Sequence, residues 1–301
     1  MSLNLPVGAV LVGMIGVGCC QGQTAGASSA SSYVPATLEM GSLVLFPRPA
    51  KDYTVPLPPG LTGTFNYRAT SPDGRSLFGV APREDYGGLK KVEFNPVRLT
   101  VVPGSAGLGY ITSITVSPTT GRIFVAASTL SDGKPQCGDF EIDPLGGSFR
   151  ALRLGTAPGC EGPVSPDGTL GLHSDGDRLS VLNLATGAST PLGIGLKEAI
   201  WSPDGRWIAA VLEKSGQRTA LLIDASNPSK RRRLGVAQSA MIWSPDSRYL
   251  LLQKSQISCW PTLYGTSLEV IDISARKRSL VKSSHCKILS GFFWVDSDAV
   301  Q

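Results

Sequence analysis

A short phrase recurs along this chain and limits what it can fold into. Ser-Pro-Asp-Gly stands at Ser71–Gly74, Ser165–Gly168 and Ser202–Gly205, with worn copies at Ser117–Gly121 (Ser-Pro-Thr-Thr-Gly) and Ser244–Ser247 (Ser-Pro-Asp-Ser). Self-similarity at a period of roughly 40–50 residues marks a repeat architecture, in which one unit cannot bury its apolar face alone and must stack on its neighbours. Each copy carries a mechanism. Proline presets φ at the first central turn position, aspartate bonds its own backbone, and glycine accepts the positive φ that closes a tight hairpin. Short apolar, aromatic or β-branched runs follow, at Ser76–Val80, Arg122–Ala126, Trp207–Leu212 and Tyr249–Leu252, and read as strands. Further on, a second run ends in Asp or Asn: Val92–Asn95, Phe140–Asp143, Val181–Asn183, Leu222–Asp224 and Val270–Asp272. The Asx side chain starts the next turn by capping local backbone groups. One unit is therefore a four-stranded meander with a Ser-Pro-Asp-Gly hairpin and an Asx turn.

The ends of the chain decide the count. Phe293-Trp294-Val295-Asp296 reads as a sixth, degraded Trp-Ser-Pro-Asp just before the C-terminus, and that unit lacks its outer half. Leu43–Phe46 followed by Asp52–Val55 reads as an inner-to-outer strand pair with no turn phrase ahead of it. Joined, the fragments make one blade. The expected fold is all-β, a six-bladed β-propeller of four-stranded blades closed by pairing N-terminal with C-terminal strands, which removes the edges of a linear array. Residues 38–301 are the expected propeller, and residues 1–37 a leader with a Gly/Ser-rich tether.

The spelling Trp201-Ser-Pro-Asp-Gly-Arg206, the apolar strand after it and the Ile-Asp element resemble the repeats of TolB-type propellers, also described as WD-like or PD-type repeats. The resemblance covers nearly the whole chain after residue 37 and implies the six-bladed fold. It implies little about function, because propellers host many unrelated tasks. The chain departs from TolB in showing no recognisable extra N-terminal α/β domain, and from prolyl-oligopeptidase relatives in showing no hydrolase domain. Neither function is carried over.

The N-terminus and the cysteines point to export. Residues 3–18 are apolar and uncharged, too short for a membrane span and suited to a signal-peptide core, although the first basic residue is Arg48. Two processing routes fit. Ala25-Gly26-Ala27 is a small-x-small cleavage site, whereas Val17-Gly18-Cys19 before the Gln21–Ser32 tether resembles a lipoprotein signal with Cys19 lipidated. Either route places the protein in the periplasm or at the outer cell surface. Cys137 falls between the second and third strands of its blade and Cys160 just before the next turn phrase; Cys259 and Cys286 repeat that placement in a later blade. Both loops emerge on one face of a meander, so the expected pairs are Cys137–Cys160 and Cys259–Cys286, the one connectivity of three that is local in both halves. Such bridges persist in oxidising compartments and contribute about 2–4 kcal/mol each.

Catalytic chemistry is nearly missing from the sequence. There are two histidines, His173 and His285, with no metal-ligand spacing, no Gly-x-Ser-x-Gly elbow and no cofactor motif. The alternative to a binding module is a carbohydrate-active or hydrolytic propeller enzyme with a central-channel site built from His173, Asp175, Asp177 and Glu161. The channel lining discriminates: convergent carboxylates with His173 favour an enzyme, small apolar residues a scaffold. Trp201, Trp243 and Trp294 share one register position before the turn and should pack between blades. Trp260 breaks the repeat; with Tyr264 it forms either a binding anchor or a cover for the Cys259 bridge.

Charge gives the last clue. Net charge is +5, and residues 1–47 hold one acid, Glu39, and no base, which leaves +6 for the rest. Lys230-Arg231-Arg232-Arg233 and Arg276-Lys277-Arg278 occupy the same third-to-fourth-strand turn of adjacent blades, at the outer rim. Such clusters steer acidic partners or shield an edge strand. No nucleic-acid motif is present. The expected protein is a monomeric, exported, envelope-associated propeller that binds an envelope protein or an anionic glycan, with no cofactor.

Overall fold

The computed structural model describes residues 33–39, 42–46, 53–56, 66–80, 88–131, 134–143, 147–155, 162–236, 241–259, 263–284 and 292–299. Three strands come first: β1 (Tyr33–Glu39), β2 (Ser42–Leu45) and β3 (Tyr53–Pro56). Blade 1 follows as β4 (Asn66–Thr70), β5 (Ser76–Val80), β6 (Lys90–Phe94) and β7 (Val97–Val101). Blade 2 is β8 (Leu108–Val116), β9 (Ile123–Ser131), β10 (Lys134–Asp143) and β11 (Ser148–Gly155). Blade 3 holds β12 (Leu170–Asp175), β13 (Arg178–Asn183) and β14 (Ser189–Ile194). Blade 4 is β15 (Leu196–Trp201), β16 (Trp207–Lys214), β17 (Gln217–Asp224) and β18 (Arg231–Val236). Blade 5 is β19 (Met241–Trp243), β20 (Tyr249–Cys259), β21 (Leu263–Asp272) and β22 (Lys277–Ser284). Finally β23 (Phe292–Asp296) joins β1, β2 and β3 as blade 6. The fold is the six-bladed β-propeller expected.

Two details differ from the sequence reading. The closing blade takes three strands from the N-terminal side, not two, because β1 starts at Tyr33, ahead of residue 38, and pairs antiparallel with β23 from Tyr33 opposite Asp296 to Thr37 opposite Phe292. Blade 3 has three strands, and its innermost position shrinks to one bridge, Val164 with Gly171. Gly162, at φ 80°, and Pro163 lie just ahead of that bridge. A left-handed glycine and a residue without an N–H cannot extend a strand there.

The turn chemistry holds, with one addition. In blades 1, 3, 4 and 5 the turn serine donates its hydroxyl to the aspartate two residues on, at 2.5–2.6 Å. The same oxygen accepts the amide of the residue five on, at 2.8–2.9 Å. The serine is thus an internal clamp, buried in every copy.

Blades stack through apolar faces. Between blades 4 and 5, Ala209, Val211 and Leu222 meet Met241, Trp243, Leu250 and Leu252, all buried, and full burial of one such Val or Leu contributes about 1.5–3 kcal/mol. The register tryptophans pack between blades as expected. Trp201 Nε1 donates to Pro163 O at 2.9 Å and Trp294 Nε1 to Ile242 O at 3.1 Å, each reaching back to the preceding blade. At the closing seam, Tyr33 Oη donates to Pro72 O (2.9 Å), Thr70 Oγ1 to Trp294 O (3.0 Å), and Asp296 N to Gly74 O (3.0 Å).

Candidate functional site

The inner strands enclose a central cavity of about 550 Å³. Its wall is largely apolar, with Ala69, Ile114, Val116, Ile200 and Ile242, and the turn prolines Pro72, Pro118, Pro203 and Pro245 rim it. Three charged residues join them: Arg68, Lys197 and Glu198. The last two sit on a bulge, where the β15–β16 register shifts between Lys197 and Ile200 and Glu198 adopts φ 49°. Both are neutralised locally. Lys197 Nζ lies 2.8 Å from Asp177 Oδ1 and 3.1 Å from Gly176 O, and the Glu198 carboxylate pairs with the Arg218 guanidinium. Arg68 is different. Among the described residues its buried Nε finds no hydrogen-bond partner and no ion pair holds it, and burial pulls its guanidinium down to about 10.

Counting back three residues from each turn serine explains why Arg68 is there. That position is Arg68, Ile114, Gly162, Ala199 and Met241 in blades 1 to 5, and all five line the cavity. The register therefore faces the channel, and blade 1 fills it with a cation. Sequence reasoning missed Arg68 because it followed the turn and the strands after it; aligning the residues before the turn exposes the departure.

Of the hydrolytic alternative, the three residues described do not gather here. His173, half-buried on β12 opposite Ser180, and the exposed Asp175 and Asp177 of the β12–β13 hairpin are not part of the cavity wall. Among the described residues, no group of three or more His, Cys, Asp or Glu is placed to hold a metal ion.

The two basic clusters occupy the outer rim at adjacent blades, and the fold brings them into electrostatic range. Burial, and after it the charge of Arg276, holds Arg232 below the ordinary arginine range. Three of the arginines staple blades together. Arg231 donates to Leu192 O of blade 3 and, through Nε, to Pro228 O at 2.8 Å. Arg232 donates to Ile273 O of blade 5 at 3.1 Å, and Arg278 to Leu234 O of blade 4 at 2.7 Å. Arg278 Nε is also 2.7 Å from Glu269 Oε2. Lys230, Arg233, Arg276 and Lys277 are exposed. Among the described residues, Arg233, Arg276 and Lys277 make no ion pair.

The cysteine-bearing loops are partly strand. β10 carries Cys137 opposite Ser128 and Gly155, and β20 ends at Cys259, opposite Leu263. The hairpins extend further than the sequence runs suggested. Cys19, Cys160, Glu161, Trp260, His285 and Cys286 lie outside the described residues, as do residues 1–32 of the expected leader and the side chains of Cys259 and Tyr264.

No protein-family model matches this sequence, and no curated protein does. Solved structures do. TolB from Acinetobacter baumannii is similar at 14% identity and a TM-score of 0.62, over 87% of this chain and 66% of that one, so this chain spans just under two thirds of its length. A TolB candidate from Agrobacterium tumefaciens is similar at 17% identity and a TM-score of 0.57, over 88% and 98% of the two chains. A chain of a nidogen/laminin complex is similar at 13% identity and a TM-score of 0.58, over 88% and 99%. At such identities the likeness speaks to fold alone. The chain has the six-bladed β-propeller fold of the TolB-type proteins.

Proposed function

We propose that this chain is an exported, envelope-associated propeller that acts as a protein-binding or scaffolding module, with an acidic protein or an anionic glycan docking on the basic rim of blades 4 and 5. The observation that carries the reading is the closeness of the two clusters: the charge of Arg276 is felt at Arg232 across a blade boundary, and Arg233, Arg276 and Lys277 stand exposed without ion pairs among the described residues. A rigid ring that holds like charges together favours an incoming anion. The apolar wall of the cavity, with a single and already paired carboxylate, supports binding over hydrolysis.

Export rests on the segment 3–18, with Cys19 as lipid attachment point or Ala27 as the end of a cleaved leader, and residues 1–32, ahead of β1, are proposed as leader and tether. The pairs Cys137–Cys160 and Cys259–Cys286 belong to the same reading. Bridges of this kind would persist in an oxidising destination. Trp260 and Tyr264 are proposed as a second contact on the opposite face.

The test is cross-linking of the full-length protein in its native envelope, with a Lys230→Glu, Arg233→Glu, Lys277→Glu variant alongside. Those three side chains are exposed and staple no blade, unlike Arg231, Arg232 and Arg278, so reversal leaves the ring intact. A partner recovered by the native protein, weakened by salt and lost in the variant, supports the reading. Recovery of the propeller alone from both, or of the same partner from both, defeats it.

A further inference from the structure

We propose that the central cavity is a binding site for a small organic carboxylate, its acid group on Arg68 and its apolar body against Ile114, Ile200 and Ile242. This goes beyond docking on the rim and stands or falls independently of it. Of the five positions that present the same register to the channel, one is charged, and its partners are Ile114, Gly162, Ala199 and Met241. A guanidinium placed for structure is paired. Arg231, Arg232 and Arg278 each reach a backbone carbonyl of a neighbouring blade, and Arg218 reaches Glu198. Among the described residues Arg68 finds no acceptor at all; its Nε is buried, as is that of Arg232, but Arg232 still reaches Ile273 O through its terminal nitrogen.

A second donor on the same wall is also unmet. Trp201 and Trp294 give their indole N–H to the preceding blade, but Trp243 Nε1 is buried with no partner. Buried donors left unmade are costly, and of the two residues Arg68 carries a charged guanidinium on the cavity wall that calls for an acceptor from outside the chain. The planar guanidinium fork fits a carboxylate in two parallel hydrogen bonds. The isoleucines on the wall favour an organic anion over a bare inorganic one, which would leave them against water, while Thr70, Thr112, Ser113 and Thr115 add hydroxyls beside them. The cavity volume of about 550 Å³ lies within the range of about 300–1,000 Å³ that holds small organic ligands. Loss of solvent at Arg68, which pulls its guanidinium down, is a penalty that an incoming carboxylate reverses.

The test is isothermal titration calorimetry of the full-length protein with 3-phenylpropanoate and with the neutral 3-phenylpropan-1-ol. The native chain is expected to favour the acid by about tenfold or more, and Arg68→Met to bind the two alike while still melting cooperatively. Ile200→Trp, which fills the cavity, is expected to lose both probes, and it serves where Arg68→Met does not fold. The proposal is overturned if the native protein binds neither probe, if it holds acid and alcohol equally, or if either variant keeps the preference for the acid.

Discussion

The turns of blades 4 and 2 begin with the same Ser-Pro pair and close over the same span, yet they are held differently. In blade 4, Ser202 N donates to Trp207 O at 2.8 Å and Gly205 N to Ser202 O at 2.9 Å. Inside that loop Ser202 Oγ clamps Asp204 and the Trp207 amide at 2.6 and 2.9 Å. In blade 2, Ser117 N donates to Arg122 O at 2.8 Å, but the glycine comes one residue later, and Gly121 N donates to Ser117 O at 3.0 Å. The hydroxyl of Ser117 is 3.3 Å from Thr119 Oγ1 and 3.4 Å from Thr120 N. What the blade requires is therefore the serine, the proline and the five-residue closure. Asp-Gly tightens the loop, and the worn copy keeps the path with a looser clamp.

The largest effect should come from two glycines in otherwise equal turns. Gly74 and Gly205 both have φ +70°, so alanine meets the same left-handed strain, about 1 kcal/mol, in each. Their surroundings differ. A Cβ on Gly74 would stand 2.8 Å from Asp296 N and 2.6 Å from the Tyr33 ring, at the seam where β23 meets blade 1, whereas on Gly205 the nearest atom is Pro166 Cδ at 3.9 Å. Gly74→Ala is expected to cost about 3 kcal/mol or more, since the closing seam must open, and Gly205→Ala about 1 kcal/mol. Urea unfolding measures both. Equal losses would show that the ring is not held shut at this contact.

The hydroxyl clamp sharpens the contrast between blades 4 and 2 directly. Ser202→Ala takes the acceptor from the part-buried Trp207 amide, while the exposed Asp204 carboxylate keeps the Arg206 amide, for an expected loss of about 1–2 kcal/mol. Ser117→Ala removes contacts of 3.3 and 3.4 Å, for about 0.5 kcal/mol. A Ser117→Ala loss as large as that of Ser202→Ala would mean the hydroxyl acts through something other than these bonds.

This difference also shows why the fold was legible in the sequence and much of the site was not. Turn chemistry is local: proline, aspartate and glycine state their backbone geometry in four letters, and the strands after them follow from apolar runs. Register tryptophans were readable for the same reason, since one position recurs at Trp201, Trp243 and Trp294. The third N-terminal strand was harder to see, because Tyr33–Glu39 owes its pairing to Phe292–Asp296 at the other end of the chain. The basic clusters were visible as charge, but their staples to Leu192, Leu234 and Ile273 depend on which blade lies alongside. Arg68 was hidden by the company it keeps, since Asn66-Tyr-Arg-Ala-Thr70 reads as an ordinary polar strand until the residues ahead of the five turns are laid in one register.

The smallest effect separates the turns by pH. Burial pushes the Asp167 carboxyl up, but the Ser165 hydroxyl and the Thr169 amide and hydroxyl outweigh it and hold the group below the usual carboxylate range. A depressed folded value means a contribution that is complete above the ordinary aspartate pKa of about 3.9 and lost as pH falls through the folded value. The side chain is mostly open to solvent, so after screening the amount is about half a kcal/mol or less. Asp167→Asn keeps an acceptor for these bonds and removes the titration. The native protein should therefore lose slightly more stability than the variant between neutral pH and about pH 3, read as the change in urea midpoint. Blade 2 supplies the internal contrast: Thr119 stands where the aspartate would be, and Thr119→Val should leave the acid limb of the native profile unchanged. If Asp167→Asn tracks the native protein throughout, the clamp in blade 3 works by geometry alone, and the tight and worn turns differ in hydrogen bonding without differing in charge.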